Sequence, residues 1–160
     1  MQKIVTNLWF DTQAEEAAQF YVSIFKNSKI VTVTHYAEGS PRPAGSVLTV
    51  TFELDGERFT AINGGPEFTF SEAISLLVNC DDQAEIDRLW TALTADGGEE
   101  SMCGWLKDKY GLSWQIVPSD WDTRFKESPE TAHKMQKMMD AMFQMKKLDI
   151  KVLQNAYDQA

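Results

Sequence analysis

Basic residues are scarce in this chain: 15 Lys and Arg stand against 24 Asp and Glu, a net charge of −9. Phosphate backbones are held by a basic stripe, so the balance argues against a nucleic-acid partner. It argues equally against an anionic membrane surface. Long apolar runs are missing too, and none approaches the roughly 18 residues of a membrane span. The opening Met1-Gln2-Lys3-Ile4-Val5-Thr6 has no apolar core of a secretory signal. The expectation is a cytoplasmic protein. Two cysteines, Cys80 and Cys103, are too few for a disulfide framework and are expected as reduced thiols. Two histidines, His35 and His133, cannot supply a three-histidine catalytic centre. No G-x-G-x-x-G follows a strand and opens a helix, so no dinucleotide fingerprint is present.

What is present fits one domain, with 160 residues of which 43% are hydrophobic. Residues 5–10 form a short apolar run, read as a strand. Asp11 or Thr12 then caps a helix over 13–25, with Glu15 placed as in a capping box. Ala14, Ala17, Ala18, Tyr21 and Ile24 follow helical spacing. Residues 30–36 alternate, with Ile30, Thr32, Thr34 and Tyr36 on one side and Val31, Val33 and His35 on the other. Strands over 45–54 and 57–63 flank Asp55-Gly56, a strong hairpin signal. The same order then returns: a strand over 74–80, a helix from Asp81 or Asp82 to about 95, and short strands holding Trp105-Leu106 and residues 113–117. Asp11-Thr12-Gln13-Ala14-Glu15 matches Asp81-Asp82-Gln83-Ala84-Glu85, 70 residues later, at four of five positions. A matched segment in register with a repeated β-α-β-β-β order predicts two equivalent modules, about 1–66 and 67–118.

Residues 119–160 read as a helical extension of the same domain. Residues 119–128 are polar, and Pro129 suits the first turn of a helix. Five of the seven methionines lie beyond, and Met135, Met138, Met139 and Met142 trace one helical face. Left bare, such a stripe is a patch that monomers rarely carry. The expectation is a homodimer with this helix in its interface. Asp149 is placed to cap a last helix.

Several stretches together carry a family resemblance. They are Leu8-Trp9-Phe10-Asp11, Glu15-Glu16-Ala17-Ala18, Asn63-Gly64-Gly65-Pro66, Ser71-Glu72-Ala73-Ile74-Ser75, and Cys103-Gly104-Trp105-Leu106-Lys107-Asp108 with Tyr110-Gly111-Leu112-Ser113-Trp114-Gln115. Over residues 1–118 the chain resembles the vicinal-oxygen-chelate superfamily (glyoxalase, bleomycin resistance, dihydroxybiphenyl dioxygenase). Within it, the chain is similar to the PhnB-like branch, also labelled 3-demethylubiquinone 3-methyltransferase-like. The resemblance implies an α+β fold of two βαβββ modules forming a cupped mixed sheet, a small-molecule pocket between the modules, and a homodimer. It implies no settled activity. The superfamily's metal positions map near Ile4, near Ile74 or Ser75, onto Gln115, and onto 61–63. None carries His or Glu, so no metal is expected.

The candidate ligand-binding residues are Trp9, His35, Asn63, Glu72, Cys103, Trp105 and Gln115. Trp9 and Trp105 are either a stacking wall or core. Trp114 and Gln115 point to opposite faces of one strand, and the mapping turns Gln115 to the cavity. Cys103 is the candidate nucleophile, which would need a base or cation beside it, or else a packing thiol. Asn63-Gly64-Gly65 is either an anion nest or a plain turn. The leading reading is a metal-independent small-molecule protein without a cofactor. The alternatives are a divalent-metal lyase, isomerase or dioxygenase, and a ligand-sequestering binder. S-adenosylmethionine is not expected, because the turn after the first strand is Asp11-Thr12-Gln13 rather than glycine-rich.

Overall fold

In the computed structural model, residues 2–160 are described. The first strand, β1 (Thr6–Phe10), leads into α1 (Ala14–Ile24), followed by the meander β2 (Lys29–His35), β3 (Val47–Leu54) and β4 (Glu57–Asn63). The sheet order is β1-β4-β3-β2, with β1 parallel to β4 and the other pairs antiparallel. Alternation sends Leu8, Phe10, Val50, Phe52 and Ala61 to the buried face. Helix α1 lies over that face. Its inward positions Ala14, Ala17 and Ala18 are small, so the helix can approach closely, while Tyr21 stacks on Phe52 at 6.3 Å. The β3–β4 turn has Asp55 at φ 49° and Gly56 at φ 82°. Two successive positive φ values are what a tight hairpin needs, and the Asp-Gly pair supplies them.

Two local expectations are corrected. The even alternation of β2 is broken by register shifts between Ile30 and Thr32 and between Thr34 and His35. Helix α1 has no cap from Asp11 or Thr12, and Gln13 at its N-cap makes no side-chain cap bond. Instead Asn63 Oδ1 accepts from the Ala14 amide at 2.8 Å. The parallel register sets Phe10 beside Asn63, so the end of β4 reaches the helix start.

The chain divides into two compact units, one up to Phe70 and the other Ser71–Ala160. The second repeats the first in kind: β5 (Ser75–Cys80), α2 (Gln83–Thr94), a 3-10 turn at Ala95–Gly97, then β6 (Glu99–Glu100), β7 (Trp105–Lys107) and β8 (Ser113–Pro118). Its order, β5-β8-β7-β6 with β5 parallel to β8, is that of the first sheet. The fold is α+β, with two four-stranded mixed βαβββ sheets. Ile86, Leu89, Trp90 and Leu93 of α2 are buried, as are Leu106, Trp114 and Ile116 of the sheet. Here the capping box forms: Asp82 Oδ1 accepts from the Glu85 amide, and Glu85 Oε2 from the Asp81 amide, both at 2.8 Å.

The extension is α3 (Trp121–Arg124), α4 (Ala132–Met142) and α5 (Ile150–Asp158). Helix α4 starts at Ala132, later than Pro129 suggested, and Asp149 caps α5 through the Val152 amide at 3.0 Å. The methionine stripe packs against side chains of its own unit. Met138 is wholly buried in a cluster with Phe125, Leu148, Leu153 and Tyr157, and Met135, Met139, Met142 and Met145 pack against that cluster. The stripe is thus not bare: the chain's own side chains enclose Met138 and cover part of the others. The Cys103 amide donates to Met145 O at 2.9 Å and the Gly104 amide to Lys146 O at 2.7 Å. Gln83 Nε2 reaches Leu148 O at 3.0 Å while its Oε1 accepts from the Ile150 amide at 2.9 Å. Among the described residues no helix is long and apolar enough to cross a membrane.

Candidate functional site

A sheet with one helix-covered face has a second face to dispose of. In the second unit that face carries Leu77, Asn79, Trp105, Gln115 and Val117, and it floors a concavity of about 960 Å³. This volume is at the upper end of the range for small-molecule sites. Strand parity sends Trp114 the other way, into the α2 side, where it is 2% exposed and its Nε1 donates to buried Asp108 Oδ2 at 2.9 Å. Gln115 faces the concavity, and its Nε2 donates to Ser75 Oγ at 2.8 Å.

Four of the seven sequence-derived candidates meet here: Glu72, Cys103, Trp105 and Gln115. Glu72 pairs with Lys107 Nζ at 2.5 Å. The hydrogen bond from Lys107 holds the Glu72 carboxyl below its usual range and raises the Lys107 ammonium. Cys103 occupies a turn at φ 59°, with its amide tied to Met145 O. The lining contains no His, Lys or Arg, and Lys107 is engaged by Glu72. Cys80 is different: it is fully buried, and desolvation pushes its thiol up to about 12.

The other three candidates belong to the first unit. Trp9 Nε1 donates to Gly65 O at 2.9 Å, and its ring meets Phe68 edge-on at 4.9 Å. A Cβ on Gly64 would come within 2.3 Å of that ring, so the glycine is what lets Trp9 lie flat there. Asn63 is spent on structure: besides capping α1, its Nδ2 donates to Val47 O at 3.1 Å, and its carbonyl accepts from Tyr36 Oη at 2.7 Å. It borders a polar pocket of about 280 Å³ with Glu15, Glu16 and Arg42. His35 is exposed at the end of β2.

Sequence reasoning missed the walls. Trp121, Asp122, Met142, Phe143 and Leu148 of the extension line the concavity, with Met102. Two of them left a signal: Met142 on the methionine face, and Trp121 as a large apolar residue in a polar stretch.

The superfamily's metal chemistry does not fit these side chains. Among the described residues no three His, Cys, Asp or Glu side chains converge. Of the positions mapped in the second module, Ser75 and Gln115 meet, as a hydroxyl and an amide whose nitrogen faces the hydroxyl, while Ile74, the alternative to Ser75, is exposed. Neither is a strong ligand. S-adenosylmethionine fits no better, because the loop entering α2 is Asp81-Asp82, with the Asp81 amide taken by Glu85 Oε2 and no glycine to admit a nucleotide.

A family model described as 3-demethylubiquinone-9 3-methyltransferase matches residues 2–117. A PhnB protein of Bacillus cereus, which carries the same description, is 41% identical, with a TM-score of 0.67; the match covers 72% of this chain and 99% of that one. The protein PA1353 of Pseudomonas aeruginosa shares the fold at 21% identity and a TM-score of 0.60, over 74% of this chain and 98% of its own. No protein of curated function matches.

Proposed function

The chain belongs to the PhnB-like 3-demethylubiquinone-9 3-methyltransferase family, and within it we propose that it is a metal-independent small-molecule-binding protein. Its site is the concavity on the open face of β5, β8 and β7. The observation that carries this reading is the floor itself, where Trp105 and Leu77 flank Gln115, whose amide is held by Ser75. An apolar, aromatic surface with a few fixed polar groups is how small-molecule sites are built. The methyltransferase name of the family is not carried over, since the turns entering α1 and α2, Asp11-Thr12-Gln13 and Asp81-Asp82, carry no glycine. Binding needs no nucleophile, and Cys103 enters this reading as a lining residue. The protein acts in the cytoplasm as a homodimer; large exposed apolar side chains such as Ile4, Phe68 and Ile74 support an assembly that covers them.

The test is a ligand-observed NMR screen of a fragment panel against the full chain and Leu77→Arg. Leu77 is 51% exposed on the concave face, so an arginine there fills the site without opening the core. Hits that vanish in the variant support the reading. Hits that persist, or no hits at all, overturn it.

A further inference from the structure

We propose that the extension after Pro118 selects the ligand of this concavity, and that it selects organic cations with a planar or apolar body. The inference rests on the concavity being the binding site. The extension provides one wall: Trp121, Asp122, Met142, Phe143 and Leu148 all line the space. That wall is fastened to its own sheet. The 102–104 turn donates two amides to the segment between α4 and α5, and Gln83 clamps the start of α5 with both ends of its amide. Ion pairs from Lys146 to Glu100 at 3.6 Å and from Lys147 to Asp87 at 2.6 Å hold the same segment. A Cβ on Gly104 would press on Leu148 at 3.0 Å, so the contact is close.

The wall lies outside the part of the chain that the family model and the Bacillus cereus protein match. The family model stops at residue 117, and 72% of this chain already accounts for 99% of the Bacillus cereus protein. Here residues beyond the matched region close the concavity on one side, and selection falls to that wall.

Charge and ring chemistry then name the ligand class. The lining holds two carboxylates, Glu72 and Asp122, and no Lys, Arg or His. The Glu72 charge is offset by Lys107, which leaves Asp122, exposed at the rim, as the dominant local charge. Trp105, Trp121 and Phe143 contribute ring faces, which attract cations as well as apolar bodies. The net charge of −9 raises the local concentration of cations further. An anion would meet only Lys107, whose ammonium is already held by Glu72, and a neutral ligand would gain nothing from Asp122.

N-methylacridinium and acridine at pH 8 form a matched pair, one permanently charged and the other neutral. Fluorescence titration of the full chain is expected to show the cation bound about tenfold tighter. Asp122→Asn should weaken the cation about fivefold and leave acridine within about twofold. Phe143→Ala, at a half-exposed position, should weaken both. Equal affinity of the wild type for the two probes, an Asp122→Asn variant with unchanged discrimination, or binding of neither probe overturns the inference. Acridine binding that is lost in Leu77→Arg, without any preference for the cation, would refute the selection rule and leave the binding site standing.

Discussion

Gln115 Nε2 donates to Ser75 Oγ at 2.8 Å, joining across β8 and β5 two positions onto which the resemblance maps metal ligands. A hydroxyl and an amide stand there, and neither is a strong ligand. Protein purified without chelator is therefore expected to contain far less than about one zinc, nickel or iron per chain by elemental analysis. Near-stoichiometric metal that survives dialysis would contradict this.

The two cysteines should separate cleanly by reactivity. Cys80 is fully buried and its thiol is raised to about 12, whereas Cys103 is half-buried at the edge of the concavity. Iodoacetamide at pH 8 is expected to label Cys103 alone in the native protein, and both residues after denaturation, read by peptide mass spectrometry. The stability effect follows from the raised value. The fold prefers the protonated Cys80 thiol, so its contribution is complete below the ordinary thiol value of 9.0 and is lost as the pH rises toward about 12. Thermal unfolding of the wild type should lose more stability over that window than that of Cys80→Ala. Parallel declines in the two proteins would refute the assignment.

Asp108 organises the β7–β8 turn from inside. At 2% exposure, its Oδ1 accepts from the Tyr110 and Leu112 amides at 2.9 and 3.1 Å, and its Oδ2 from Trp114 Nε1. Replacement by alanine leaves these donors without that acceptor, at a cost of about 3 kcal/mol or more. Asp108→Asn keeps one acceptor but turns an N–H toward the indole, and should cost somewhat less. Urea denaturation orders the three proteins. An alanine variant as stable as wild type would mean that water replaces the carboxylate without penalty.

The elements legible in the sequence were those whose signal is local. Glu57–Asn63 reads directly from alternation and the Asp-Gly turn. The opposite directions of Trp114 and Gln115 follow from strand parity. The repeated Asp-x-Gln-Ala-Glu segment located both helix starts, yet only Asp82 became a cap. At α1 the work passed to Asn63, through a parallel pairing that no local pattern encodes. For the same reason Asn63, a candidate for ligand contact, has its amide committed to the fold. The site walls were illegible because they depend on where residues 119–160 dock. That docking is set by Gln83 and the 102–104 turn, far away in sequence.

The methionine face shows how such docking alters a prediction about assembly. Its spacing on α4 called for a cover, and a second copy of the chain was the simplest candidate. The cover is instead intramolecular: Met138 is 0% exposed against Phe125, Leu148, Leu153 and Tyr157. Met138→Ala should then act on stability, at about 2–5 kcal/mol for a large-to-small change in a closed core. It should not act on mass. Light scattering is expected to report the proposed homodimer for the wild type and for Met138→Ala alike, while urea denaturation reports the loss. If the variant instead falls to monomer with its unfolding midpoint unchanged, α4 lies in the interface after all. Truncation after Pro118 is the harsher version. It removes the whole Phe125–Tyr157 cluster and the acceptors of the Cys103 and Gly104 amides. Its expected outcome is a destabilised second unit rather than a well-folded monomer, because what the tail covers is its own sheet.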